Sequence, residues 1–164
     1  MTLYYVDPAA TGEADGSSWT DAWVSIQTAL DTATSGDTTY CRGTENPSVT
    51  LDVNTNSGTS QARITFVGCN AGGTEDGTYY KIDWGANDVD GLTFDKNFIT
   101  FRNFEITNTV ASSTKWGVTS IGYATSTYIS FSNCFFVNRF GRPNRRTIVA
   151  PLCVPRTSDN PRFF

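Results

Sequence analysis

Apolar positions along the chain follow two periods, one after the other. In "DGSSWTDAWVSIQTALDTATSGD" (15–37), Trp19, Ala22, Trp23, Ile26, Ala29, Leu30 and Ala33 recur at steps of three and four. That is the period of one helix face. Ser18 followed by Asp21 fits a capping box, and Gly36 lies just past the end. The spacing predicts an amphipathic helix over about 18–33. Ahead of it "LYYVD" reads as a strand. After Gly36 the period changes for good. "TTYCR" (38–42), "VTLDV" (49–53), "RITFVG" (63–68), "YKIDW" (80–84), "GLTFD" (91–95), "FITFRNFEIT" (98–107), "WGVTSIGY" (116–123) and "YISFSNCFFV" (128–137) are short, β-branched and aromatic. These are strand signals. No Asn-Gly or Asp-Gly turn joins two close alternating runs, so antiparallel meanders are not favoured.

One pattern returns three times: "ITFVGCNA" at 64, "ITFRNFEI" at 99 and "ISFSNCFF" at 129. Alternation holds, slips by one residue, then resumes. A slip sends every later side chain to the other face unless the chain bends. The residue at the slip is Gly68, Asn103 or Asn133, and Gly and Asn accept the left-handed conformation most readily. The unit therefore reads as strand, one-residue corner, strand. A unit that recurs every 30–35 residues and bends inward at a fixed corner is a coil of a solenoid. Stacking coils gives four expected ladders: Ile64, Ile99 and Ile129; Phe66, Phe101 and Phe131; Gly68, Asn103 and Asn133; Cys69, Phe104 and Cys134. "VTLDV", "GLTFD" and "GVTSIGY" supply a third strand per coil.

Composition agrees with an all-β chain. Charged residues are scarce, aromatic content is high, and Gly, Ser, Thr and Asn abound. The net charge of −4 argues against a nucleic-acid partner. No apolar run reaches membrane-span length, and residues 1–7 are no signal peptide. The expected setting is extracellular or virion-associated, without a visible leader. Residues 139–164 differ from the rest: six arginines against the single acid Asp159 leave 15 acids against six cations in residues 1–138. This basic, Pro-rich tail reads as a truncated end, a cap or an oligomer contact, with residues 1–138 as the folded unit.

There are four cysteines and no histidine. The missing histidine removes Ser-His-Asp and Cys-His catalysis, and the cysteine spacing is not that of a zinc site. On the ladder, Cys69 and Cys134 stand two coils apart, about 9–10 Å, too far for a disulfide. Free, buried, packing cysteines are expected.

"YYVDPAATGEADGSSWTDAWVSIQTALDTATSGDTTYCRGT" resembles the N-terminal segment of pectate-lyase-like right-handed parallel β-helix proteins, phage tailspike-like members included. The "ITFRNFEITNT" segment is similar to their repeating coils, and the Asn corner to their asparagine ladders. The resemblance covers roughly residues 3–138. It implies an all-β fold: a single-stranded right-handed parallel β-helix with an N-terminal capping α-helix, Trp19 and Trp23 plugging the first coil. It implies no single activity, because the fold carries lyases, hydrolases, epimerases, tailspikes and adhesins.

Lyases of that fold abstract a proton with Arg or Lys and hold calcium with carboxylates; its hydrolases use clustered aspartates. The densest acidic run here is "DWGANDVDG", giving Asp83, Asp88 and Asp90, with Asp95 beyond. Ala86 and Asn97 stand where a calcium loop of the EF-hand type needs acids, so no metal site is assigned. Arg102 and Glu105 alternate outward from the core residues and complete the catalytic candidates. The "GRPNRR" run lacks the Arg expected two before Pro143 and carries no catalysis over. Trp84, Trp116 and Tyr123 are the candidate sugar-stacking rings. The favoured expectation is a non-catalytic β-helix module of a virus-borne or cell-surface protein, structural and carbohydrate-interacting, with no cofactor, membrane or nucleic-acid partner. The alternative is a polysaccharide lyase or glycoside hydrolase, complete or truncated, acting on an acidic polysaccharide, with calcium as the lyase's cofactor. A third reading is an assembly part whose tail makes a homotrimer.

Overall fold

The computed structural model of the chain describes residues 1–85, 87, 89–108, 118–120 and 128–138. In chain order the elements are β1 (Leu3–Val6), α1 (Ile26–Thr32), β2 (Thr38–Arg42), β3 (Thr44–Glu45), β4 (Leu51–Val53), β5 (Ile64–Cys69), β6 (Tyr80–Asp83), β7 (Leu92–Phe94), β8 (Ile99–Arg102), β9 (Phe104–Asn108), β10 (Val118–Ser120), β11 (Ile129–Ser132) and β12 (Phe135–Asn138). Strands pair with the equivalent strand one coil away. The first sheet runs β1-β2-β5-β8-β11, the second β3-β6-β9-β12 and the third β4-β7-β10. All the pairings are parallel. Each turn of the chain lays one strand into each sheet, which makes a parallel β-helix. The tail's expected roles fall outside the described residues.

Inward residues stack in the expected register. Ile64, Ile99 and Ile129 align, as do Phe66, Phe101 and Phe131. The phenylalanine rings lie nearly parallel, 4.9 and 5.5 Å apart by centroid. Phe66 and Phe101 are fully buried, and each such ring contributes about 1.5–3 kcal/mol of burial. The corner ladder is also present: Asn103 and Asn133 have φ of 57° and 50°. Asn133 Nδ2 donates to Asn103 Oδ1 at 2.8 Å, and Asn103 Nδ2 donates to the Gly68 carbonyl at 3.2 Å.

The first copy departs from the expected pattern. Gly68 is not a left-handed corner; β5 runs straight through it to Cys69. Gly68 is glycine because its neighbours are close: a Cβ there would lie 1.9 Å from the Asn103 carbonyl oxygen and 2.7 Å from the Tyr80 amide nitrogen. The bend comes after a longer loop, residues 70–79. As a result Tyr80, not Cys69, aligns with Phe104, their rings meeting edge to face at 5.4 Å. A second left-handed corner escaped the sequence reading. Phe98 and Tyr128, one before β8 and β11, have φ of 58° and 68°, and their rings stack at 4.7 Å. Arg63 ties the same corner across coils, donating to the Ile99 and Tyr128 carbonyls and, at 2.7 Å, to Thr100 Oγ1.

The helix is shorter than its period implies. Ser18 and Asp21 do bond reciprocally, at 2.9 and 3.1 Å. The next residues are committed elsewhere: the Trp23 amide donates to the Tyr5 carbonyl, and the Trp23 carbonyl accepts from the Asp7 amide. This pairing along the edge of β1 holds residue 23 extended, so α1 starts only at Ile26, capped by Ser25. Seven residues are too few to be stable alone. Ile26, Ala29 and Leu30 are buried against the first coil and hold the helix there.

Candidate functional site

On the first sheet, alternation sends Val6 and Cys41 inward and their neighbours out. The outward row of β1, β2 and β5 is Tyr5, Tyr40 and Val67, which the register sets side by side. Two residues further along the same face lie Asp7, Arg42 and Cys69. There the chain turns the Gly43 corner, where φ is +92°, a backbone that glycine adopts without strain. Beyond the corner, Thr44 of β3 and Lys81 of β6 pair on the second sheet. Asp7, Arg42, Cys69, Thr78, Tyr79 and Lys81 line an open groove of about 430 Å³ at this corner.

The groove's charges are paired. Arg42 Nε donates to Asp7 Oδ2 at 2.7 Å, and its Nη1 to the Ala71 carbonyl at 3.1 Å. The same guanidinium lies 4.4 Å over the Trp19 ring, a cation–π contact. Lys81 Nζ stands 3.4 Å from Glu105 Oε2; both groups are partly exposed, and such pairs contribute little. Burial, with the Glu75 and Asp76 charges, pushes the Cys69 thiol up to about 11. At neutral pH it is a protonated thiol and a poor nucleophile. The ring of Tyr79 meets Phe135 edge-on at 4.7 Å, and its hydroxyl donates to Asn133 Oδ1 at 3.0 Å.

The residues nominated from sequence separate. Asp83 ends β6, and its Oδ1 accepts from the Gly85 amide at 2.8 Å. Lys81, Glu105 and Asp83 share the outer face of β6 and β9. Asp90 and Asp95 flank β7 on the third sheet, around a corner from Asp83. Arg102 bonds Glu75 of the 70–79 loop at 3.2 Å. Asp88, Trp116 and Tyr123 lie outside the described residues. Among the described residues no three His, Cys, Asp or Glu side chains form a group that could hold a metal ion. Trp84 needs correction as a sugar platform. It is 1% exposed, and its Nε1 donates to the Val49 carbonyl at 2.9 Å, so the ring is core. Tyr80 is likewise core: its hydroxyl donates to buried Glu45 at 2.6 Å, and burial, then the Glu45 charge, pushes its pKa well above the ordinary tyrosine value.

The outward pairs Tyr5–Asp7 and Tyr40–Arg42 were missed, although "LYYVD" and "TTYCR" already place them on one face by strict alternation. Nothing in the sequence showed that β1 and β2 are neighbours in register. Cys41, Cys69 and Cys134 are free and buried, and Cys153 lies outside the described residues.

Fold and groove together define a parallel β-helix with an open, polar corner site. No family model matches the chain, and no curated protein matches it significantly. Among solved structures, the crystal structure of pectate lyase Pel9A matches with a TM-score of 0.64 and 22% identity over 85% of this chain. The similarity is one of fold. The chain spans about a third of that protein's length, 34%. Among the described residues no helix is long and apolar enough to cross a membrane.

Proposed function

We propose that the chain is a non-catalytic β-helix module that engages polysaccharide, of the kind borne by virus particles or cell surfaces. One observation carries the reading: the groove of about 430 Å³ at the Gly43 corner, where hydroxyl, ammonium and aromatic groups converge beside a rigid sheet. Such a mixture suits a ligand with flat apolar faces and many hydroxyls. The groove's own acid, Asp7, is held by Arg42 and by the Ala9 amide at 2.9 Å, a structural engagement rather than a poised base. The fold it shares with Pel9A supports a polysaccharide-related role.

The second reading, a lyase or hydrolase of acidic polysaccharide, draws on Lys81, Asp83 and Glu105, which share one outer face on adjacent coils. Incubation with neutral and acidic polysaccharides, with and without calcium, separates the two. Binding with no new unsaturated uronate absorbance and no new reducing ends is the expected result. Product formation that Lys81→Gln abolishes would establish the enzyme instead. The proposed setting is extracellular or virion-associated, and the proposed assembly a homotrimer. Size-exclusion chromatography with light scattering tests the assembly; a monomer at high concentration would overturn it.

A further inference from the structure

We propose that the outer face of β1 and β2 is a subsite for an uncharged sugar ring, which stacks on Tyr5 and Tyr40 while the groove beyond them hydrogen-bonds the adjoining residue of the chain. The inference rests on the polysaccharide-binding reading and makes it specific.

The geometry begins with register. Tyr5 pairs with Tyr40, and both point outward, their rings 6.1 Å apart and tilted by 33°. Both are half-buried, so each keeps part of its surface in contact with water. Tyr5 is braced from the side, on the same outer face. Trp19 meets Tyr5 edge-on at 4.9 Å, Arg42 covers Trp19, and Gly73 of the 70–79 loop abuts the Trp19 indole. Rigid aromatic groups of this kind offer contact area at small entropic cost. Arg42, two residues beyond Tyr40 on the same face, lines the groove, so the groove begins next to the tyrosine pair. Two rows along the same strands thus present rings first and hydrogen-bonding groups next.

The charges set the class of ligand. Each cation of the groove already has an acid: Arg42 has Asp7 at 2.7 Å and Lys81 has Glu105 at 3.4 Å. An anionic sugar would have to compete with these carboxylates for the two cations. It would also approach a body in which residues 1–138 carry 15 acids against six cations. A neutral glycan meets neither cost. Its hydroxyls find Thr44, Thr78 and the tyrosine hydroxyls, and its CH faces find the rings.

The test is calorimetric titration of the whole chain with neutral oligosaccharides (β-1,4-linked glucan and mannan hexamers) and with a hexagalacturonate. Saturable binding of a neutral hexamer is expected, weakened about tenfold or more in Tyr40→Leu and Tyr5→Leu and within about threefold of the parent in Tyr40→Phe. Leucine keeps apolar bulk but removes the flat face. Chemical nitration of the unaltered chain reads the same contact without any substitution: bound saccharide should slow modification of Tyr5 and Tyr40 but not of Tyr128. Neutral binding that neither leucine variant disturbs, with no protection of the two tyrosines, would overturn the ledge and leave polysaccharide binding standing. Hexagalacturonate binding without neutral binding would overturn the uncharged class. Failure of every saccharide to bind would remove the polysaccharide reading itself.

Discussion

The two residue types at the repeated corner have different physical reasons. Asn103 and Asn133 are left-handed and pass hydrogen bonds from coil to coil, ending on the Gly68 carbonyl. Gly68 sits in an extended strand, and what excludes a side chain there is the backbone of the next coil. A methyl group 1.9 Å from the Asn103 oxygen cannot be accommodated by moving a flexible side chain, since its obstacles are main-chain atoms. Gly68→Ala should therefore destabilise by about 3 kcal/mol, the upper end of ordinary overpacking. At Asn103 the loss of the ladder bonds and the left-handed backbone both matter. Asn103→Gly keeps the backbone freedom and should cost less than Asn103→Ala. Urea unfolding of the three variants measures the order. Gly68→Ala no less stable than the parent would mean that coils can part at this corner without cost.

Among elements, the question is what seals the first coil, because a solenoid end exposes unpaired strand edges. Residues 16–23 do so for β1, through Tyr5, Asp7 and Trp23 backbone bonds. For β4 the partner is a side chain. Gln27 Oε1 accepts from the Asp52 amide at 2.8 Å and Gln27 Nε2 donates to the Asp52 carbonyl at 3.0 Å, which imitates a missing strand. At β3 the contact is made by the strand's own Glu45, whose carboxylate accepts from Ser25 Oγ at 2.6 Å and from the Ile26 amide at 2.8 Å and so ties α1 to the second sheet. Gln27→Ala should cost about 1–2 kcal/mol and speed hydrogen exchange at the Asp52 amide while leaving Phe66 and Phe101 protected. Unchanged exchange at Asp52 would show that the edge is sealed by something else. Much of this fold was legible in sequence, since strands with period two and a recurring slip encode coil and corner locally. The helix start was not legible, because the β1 edge competes for Trp23 through a tertiary contact. The Phe98–Tyr128 corner was not legible either, because aromatic residues are rarely left-handed. The candidate site was the least legible part. It needs two neighbouring strands and a loop, and sequence alternation says which face a residue takes but not who stands beside it. The nominated Trp84 failed for a different reason: alternation in "YKIDW" already sets it on the face of inward Tyr80 and Ile82, and its ring is core.

At the scale of the molecule, one of the buried carboxylates that join the cap to the coils is Asp37. Asp37 accepts from the Thr2 amide at 2.6 Å and from the Thr34 amide and hydroxyl at 3.0 and 2.9 Å. It thereby links the start of β1, the segment after α1 and the entry to β2. Burial alone would raise its pKa, but the bonds from Thr34 and Thr2 outweigh it and hold the carboxyl below its ordinary 3.8. A folded-state pKa below the unfolded value means that the unfolded chain binds the proton more tightly. The stabilisation from Asp37 is therefore complete above about pH 4 and is lost as pH falls through the folded value. Loss at this point loosens the cap, which pairs with the edges of the first and third sheets. Stability of the parent chain should therefore fall on acidification below about pH 4, accompanied by concentration-dependent light scattering as open edges meet. Asp37→Asn should be less stable at neutral pH and should show a shallower loss between about pH 4 and pH 2, because the group whose titration differs between states is gone. Identical slopes for parent and variant would place the acid sensitivity elsewhere, Asp76 being the next carboxylate to test, since hydrogen bonds from Thr78 and Asn70 hold it at about 2.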